Sequence, residues 1–288
     1  MIGQSELPIE LLRYELLLPA FALVLARVAG LVLAVPMLTS QEIPSVVKAW
    51  LVVTLSLMVF PVVAPQLPTE LPLSRAVAGM VGEFIIGELL GLTVGLVFMA
   101  VQIAGKAVSH QSGMSVGESY NPIMDESTTV LDQVWFFAVL MFFLALRGHI
   151  AAVTALLGSF EMVPPLSATM DAALIDSVVG VLRSMFDIAL RLCGPIVLAL
   201  LLTSLILGFL TKTMPQLNVL SVGFAFKVAA ALFMLAITVP LSEGVVADGL
   251  ADGFDQLGRL FEQMADRVGG AVGPPAVLNL NGVSIHAG

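Results

Sequence analysis

From Leu192 to Leu210 the chain carries no charged side chain, and from Ala49 to Ala64 again none. A run of about 20 apolar residues is what a helix needs to cross the hydrocarbon core of a bilayer. In lipid the backbone has no water to bond to, so runs of this kind must satisfy their own N–H and C=O groups, as a helix does. Composition points the same way. Hydrophobic residues make up 58% of the 288 and charged residues 11%, with a mean hydropathy of +1.02, whereas a soluble domain is about 25% charged. The expected fold class is all-α: a polytopic integral membrane protein.

Six apolar segments follow along the chain. Leu16–Leu38 carries Arg27 in its middle. Ala49–Ala64 ends in a proline-rich turn, and Ala76–Ala107 carries Glu83 and Glu88 near its start. Val134–Phe160 is interrupted by Arg147-Gly148-His149, which leaves open one broken helix or a hairpin. Val178–Leu192, apolar at helical spacing, runs into Leu192–Leu210, with Gly194-Pro195 placed to kink it. Thr213–Ser242 has Lys227 at its centre. Arg27, Glu83, Glu88 and Lys227 either snorkel or pair without further role, or they face a protein interior or wet conduit. Four segments with ionisable residues at depth in one chain favour the second reading for the molecule as a whole. Arg13, Arg75, Arg147, Arg259 and Arg267 fall on one side of a six-span topology, which puts the termini in the cytoplasm. Beyond the last span, Val246, Leu250, Phe254, Leu257, Leu260, Phe261, Met264 and Val268 recur at helical spacing, opposite Asp248, Asp252, Asp255, Glu262 and Asp266. An acidic amphipathic helix is a poor match for anionic lipid and is expected to dock on protein, its own subunit included. The division expected is a membrane helical domain over 1–245, this helix over 246–270, and an unstructured tail over 271–288.

Gly87, Gly91 and Gly95 recur every four residues and form a smooth strip along one helix face, which another helix can approach closely. Gln102 and Gly105 follow on the same segment. The chain then turns polar over Ser109–Asn121, and irregular backbone at membrane depth is tolerated only where protein buries it or it lines a wet cavity. Several function classes lose support. The one cysteine, Cys193, allows no internal disulfide. A formal net charge of −9 does not suit nucleic acid or anionic lipid. His110, His149 and His286 are scattered without metal-ligand spacing, and no phosphate-binding loop or nucleophile elbow is present, so neither metal, cofactor nor catalytic centre is expected. The N-terminus lacks a basic n-region, so no cleavable signal is expected. The 14 methionines serve as core filler or as a deformable gasket.

Four stretches, in order, carry a family resemblance: RVAGLVLAVPMLTSQEIPSVVKA (Arg27–Ala49), VQIAGKAVSHQSGMSVGESYNP with Gln102–Pro122 at its heart, RGHIAAVTALLGSFEMVP (Arg147–Pro164) and TKTMPQLNVLSVGFAFK (Thr211–Lys227). Together they resemble the R-type (FliR) family of the flagellar type III export gate, whose relatives are the T-type subunits of virulence injectisomes. The resemblance implies a non-enzymatic channel subunit in the bacterial inner membrane, at the flagellar basal body. It would assemble with P-type and Q-type subunits and other export-apparatus proteins around a pore that passes unfolded proteins. The loop after Gln102-Ile103-Ala104-Gly105 would protrude into that pore and plug it. That implied role falls on His110, Gln111, Gly113, Met114, Ser115, Gly117, Asn121 and Pro122. His110 and Ser112 stand where the family is more often apolar. Pro215, Gln216 and Asn218 would form the turn between the last two long segments. A small-solute transporter is the reading from another class, and the absence of an internal repeat speaks against it.

Overall fold

The computed structural model describes residues 9–39, 43–66, 72–114, 130–167, 172–213 and 219–268, and every regular element among them is helical. The helices are α1 (Ile9–Ala34), α2 (Pro36–Thr39), α3 (Ser45–Val63, extended by one 3₁₀ turn), α4 (Leu73–Ser112), α5 (Val130–Ala145), α6 (Gly148–Met162), α7 (Ala172–Thr213) and α8 (Val219–Val268). Four of them, α3, α4, α7 and α8, are each long and apolar enough to cross a membrane; α5 and α6 make a fifth candidate together, and Leu18–Ala34 of α1 is apolar but shorter. Among the described residues the six segments read from the sequence are therefore helical apart from breaks at Val35 and Leu146-Arg147, though only four helices have spanning length by themselves.

Several helix ends have visible causes. Leu146 and Arg147 interrupt the fourth segment, with Arg147 in the left-handed region (φ 55°), and Gly148 restarts the chain where a side chain would strike the Phe143 ring. At the end of α4, Gly113 adopts φ 85° and its N–H donates to the His110 carbonyl at 3.2 Å, a left-handed stop that glycine takes at no steric cost. Nothing breaks α7 at Gly194-Pro195 or α8 at Val245-Val246, so the charged, amphipathic stretch after residue 245 is a direct continuation of the preceding apolar one. Hydroxyls inside the apolar helices bond back to carbonyls of their own helix, as Ser56 does to Val52 (2.7 Å) and Thr93 to Leu89 (3.0 Å), so they bring no unpaired polar atom into the fold.

Burial ranks the helices. In the most apolar stretch of α4, 72% is buried, against 22% for α3 and α7 and 17% for α8. Thus α4 is a core helix, and the other three present most of their apolar surface outward. Among the described residues two compact units emerge from the contacts: those up to Gly95, those from His149 to Val181 and those from Gly253 on make the first, and those from Leu96 to Gly148 and from Leu182 to Asp252 the second. In the first, α1 lies on the start of α4, and Phe21 meets Phe60 of α3 edge-on at 5.5 Å between centroids. In the second, Phe98 of α4 packs on Phe143 of α5 at 5.3 Å. There α7 and α8 run antiparallel: Ile188 lies over Gly249 and, nearer the C-terminal end of α7, Leu207 lies over Gly223. The amphipathic end of α8 is docked within this chain. Val246, Leu250, Phe254, Leu257, Leu260, Phe261 and Met264 are all buried, and Asp248, Asp252, Asp255, Glu262 and Asp266 face outward.

Candidate functional site

The first concentration of chemistry is a buried ion pair. Arg27, in the last third of α1, and Glu83, in the first half of α4, are both fully buried, and Arg27 Nε donates to Glu83 Oε2 at 2.7 Å. The guanidinium has further work. Nη1 donates to Ser159 Oγ and Nη2 to the Val163 carbonyl, each at 3.1 Å, while the Phe160 ring lies 4.1 Å beneath Cζ. The other carboxylate oxygen, Glu83 Oε1, accepts the Leu166 N–H at 2.9 Å. Leu166 itself is left-handed (φ 72°) and its side chain fills the space that glycine leaves at position 79. One charge pair thus binds α1, α4, the end of α6 and the turn that follows. An arginine presents a planar fork of donors that suits this multi-point arrangement, and satisfied partners are what make a buried charge tolerable.

The glycine strip lies beside it. A Cβ on Gly87 would run into the Arg27 carbonyl, and one on Gly91 into the Leu31 carbonyl and the Ala34 side chain; from the other side, a Cβ on Gly30 would meet the backbone of Phe84, Gly87 and Glu88. The helix that approaches is α1 of this same chain, and its backbone comes close enough that the obstacles are main-chain atoms. Gly95, the third member, is buried. Glu88 and Lys227 are half-buried and, among the described residues, take part in no ion pair, so of the four charges singled out only Arg27 and Glu83 are brought together.

Farther along α4 is the base of the polar loop. Asp132, in the first turn of α5, is buried; its Oδ1 accepts from Ser109 Oγ at 3.2 Å and occupies the space against Gly105 where a side chain would stand. Ser112 Oγ donates to the Ser109 carbonyl at 3.0 Å. A carboxylate at a helix N-terminus also lies favourably in the helix dipole. Gln102 and His110 are exposed, Gln111, Gly113 and Met114 half-buried, and Gly113 lies 3.7 Å (to a built Cβ) from the Phe224 ring of α8. Ser115, Gly117, Asn121 and Pro122 lie outside the described residues, as do Pro215, Gln216 and Asn218. Sequence reasoning did not single out Asp132, Ser159 or Phe160. For Asp132 there was a signal: it is the one charge in an otherwise apolar helix, Val130–Ala145. No group of three or more His, Cys, Asp or Glu side chains among the described residues could hold a metal ion.

With this geometry in place, the comparisons identify the relatives. The family model for bacterial export proteins, family 1, matches residues 18–252, which takes in the ion pair, the glycine strip and the loop base. Flagellar biosynthetic protein FliR of Escherichia coli is 30% identical over 224 residues (75% of this chain, 83% of that one), and FliR of Bacillus subtilis is 27% identical over 224 residues (77% and 86%). Yop proteins translocation protein T of Yersinia pestis is 27% identical over 230 residues (79% and 85%). A match that covers most of the chain, from α1 well into α8, settles the membership: this chain belongs to the bacterial export proteins, family 1.

Proposed function

We propose that the chain is the FliR-type channel subunit of a flagellar type III export gate, placed in the inner membrane at the basal body, where it helps pass unfolded flagellar proteins outward. The observation that carries this is the breadth of the likeness, with family and FliR similarity running over the same residues that build the buried pair and the loop base. P-type and Q-type gate subunits are the partners proposed, and the outward apolar face of α3 supplies surface for them. The subunit's role is structural, with no reaction of its own. Its part in gating falls to the end of α4 and the segment after it: His110 and Gln111 in the last helical turn, then Gly113 and Met114, and on through Ser115, Gly117, Asn121 and Pro122. A left-handed glycine at its start gives the chain the freedom to leave the helix axis sharply.

The similarity to a Yop translocation protein favours a second reading, a T-type subunit of a virulence injectisome. Deleting the chain from its own host separates the two. Loss of swimming and of filament, restored by the wild-type chain, is the expected outcome. Normal swimming with loss of effector secretion would move the assignment to the injectisome. Copurification followed by mass spectrometry tests the partners, and recovery of the chain alone, or as a symmetric homo-oligomer, would refute the gate.

A further inference from the structure

Between α7 and α8 lies a groove of about 260 Å³ whose two walls carry opposite charge. Arg183, Asp187 and Arg191 stand four residues apart along α7; Asp248 and Asp252 stand four apart along α8. The floor is the close approach of Ile188 to Gly249, where the missing side chain lets the helices meet. All five charged residues are exposed. Asp187 is taken by Arg191 at 2.8 Å, which leaves Arg183 on one wall and Asp248 and Asp252 on the other with no ion pair among the described residues. Two arginines against three aspartates make the groove net negative by one charge.

Its level along the helices is informative. Past Arg191, α7 carries no charge until Lys212, and on α8 the residues between Lys227 and Glu243 carry none. The surface on that side of the groove is exposed and apolar: Leu198, Leu202 and Leu241 are 67%, 60% and 71% exposed. Both helices change from polar to apolar within about two turns of the groove, and the headgroup region of a bilayer is where a membrane protein makes that change.

We propose that this groove binds the headgroup of a phospholipid bearing a primary ammonium, of the phosphatidylethanolamine type. The phosphate accepts hydrogen bonds from Arg183, the –NH₃⁺ donates to Asp248 and Asp252, and the acyl chains run along Leu198, Leu202 and Leu241. A guanidinium suits a phosphate, and a carboxylate pair suits an ammonium that has protons to donate. A choline headgroup has no such protons, and a phosphatidylglycerol headgroup brings net negative charge to a groove that is already negative. The inference uses the membrane location alone and not the export role, so its failure and the failure of the functional reading are distinguishable.

The test is native mass spectrometry of the full chain, in its purified membrane complex, released from nanodiscs of equal phosphatidylethanolamine, phosphatidylglycerol and phosphatidylcholine. The wild type is expected to retain phosphatidylethanolamine several-fold over the other two. Asp248→Asn with Asp252→Asn should return retention to the bulk ratio, and Arg183→Gln should lower retention of all three. These are exposed positions, where substitutions usually shift stability by no more than about 0.5 kcal/mol, and an unchanged melting temperature confirms that the variants fold. Equal retention by the wild type, or an undiminished ethanolamine excess in the double variant, overturns the proposal. So does stabilisation by soluble phosphoethanolamine equal to that by the lipid, which would assign the groove to a free headgroup. A photocrosslinker placed at Arg183 that captures another polypeptide instead of lipid also overturns it, because the groove is then a subunit interface.

Discussion

Arg27 and Glu83 are the residues whose loss the fold should feel most sharply. Removing one member of a fully buried pair strands the other, at a cost of about 3–5 kcal/mol, whereas replacing both with apolar residues of similar volume is often close to neutral. Arg27→Met is therefore expected to lower the melting temperature of the purified protein strongly, and Arg27→Met with Glu83→Leu to recover part of the loss. Recovery should be incomplete, because the Val163 carbonyl and the Leu166 N–H lose these partners as well, while Ser159 Oγ keeps its bond to the Leu156 carbonyl. If the double variant melts as low as the single, the pair is no self-contained unit. The same scale shows what the sequence could and could not disclose. That Arg27 and Glu83 were out of place in apolar segments was plain from composition. That they belong to each other was not, since they lie on different helices and only the packing of α1 on α4 sets their register. Leu166 and Val163 meet the pair through backbone atoms, which leave no mark in a sequence.

Among the elements, the α1–α4 contact was half legible. Four-residue glycine spacing disclosed that a helix must come close, and it did not disclose which helix. Because α1 of the same chain occupies the strip, Gly91→Leu is expected to damage the subunit's own fold before any assembly step. Overpacking a well-filled site costs about 1–3 kcal/mol, more where backbone cannot yield, and here the obstacles include the Leu31 carbonyl. A variant that melts at the wild-type temperature yet fails to copurify with partners would show that the strip serves an intersubunit contact instead. The change to polar residues at the end of α4 was legible, and the anchor of that last turn on Asp132 through Ser109 was not. Deleting Gly113–Ser119 leaves that anchor in place, so the complex should still form. If the segment plugs a pore, the deletion variant should conduct small ions in planar bilayers, and conductance equal to wild type would refute the plug.

For the whole molecule, the outcome that most changes the sequence reading is the continuity of α8. Charge content divides the chain near residue 245, and the backbone carries on as one helix. Hydrophobic periodicity did foretell which face of the later part is buried, and the chain supplies its own cover for that face. The family match ends at residue 252, yet Phe254, Leu257, Leu260 and Phe261 beyond it are each no more than 3% exposed. They belong to the folding core of this chain. Phe261→Ala should cost about 3–5 kcal/mol, as for other large buried aromatics. Glu262→Gln, next to it on the outward face, should stay within about 0.5 kcal/mol. Thermal unfolding in detergent checks both, and similar losses in the two would mean that the face is not packed as described.

The 50 residues of α8 also have a geometric consequence. At a rise of 1.5 Å per residue the helix is about 75 Å long, more than twice the roughly 30 Å of bilayer hydrocarbon. The surplus, about 45 Å by the same arithmetic, has to be housed outside the hydrocarbon, and it falls on the stretch whose apolar face this chain covers and whose carboxylates face outward.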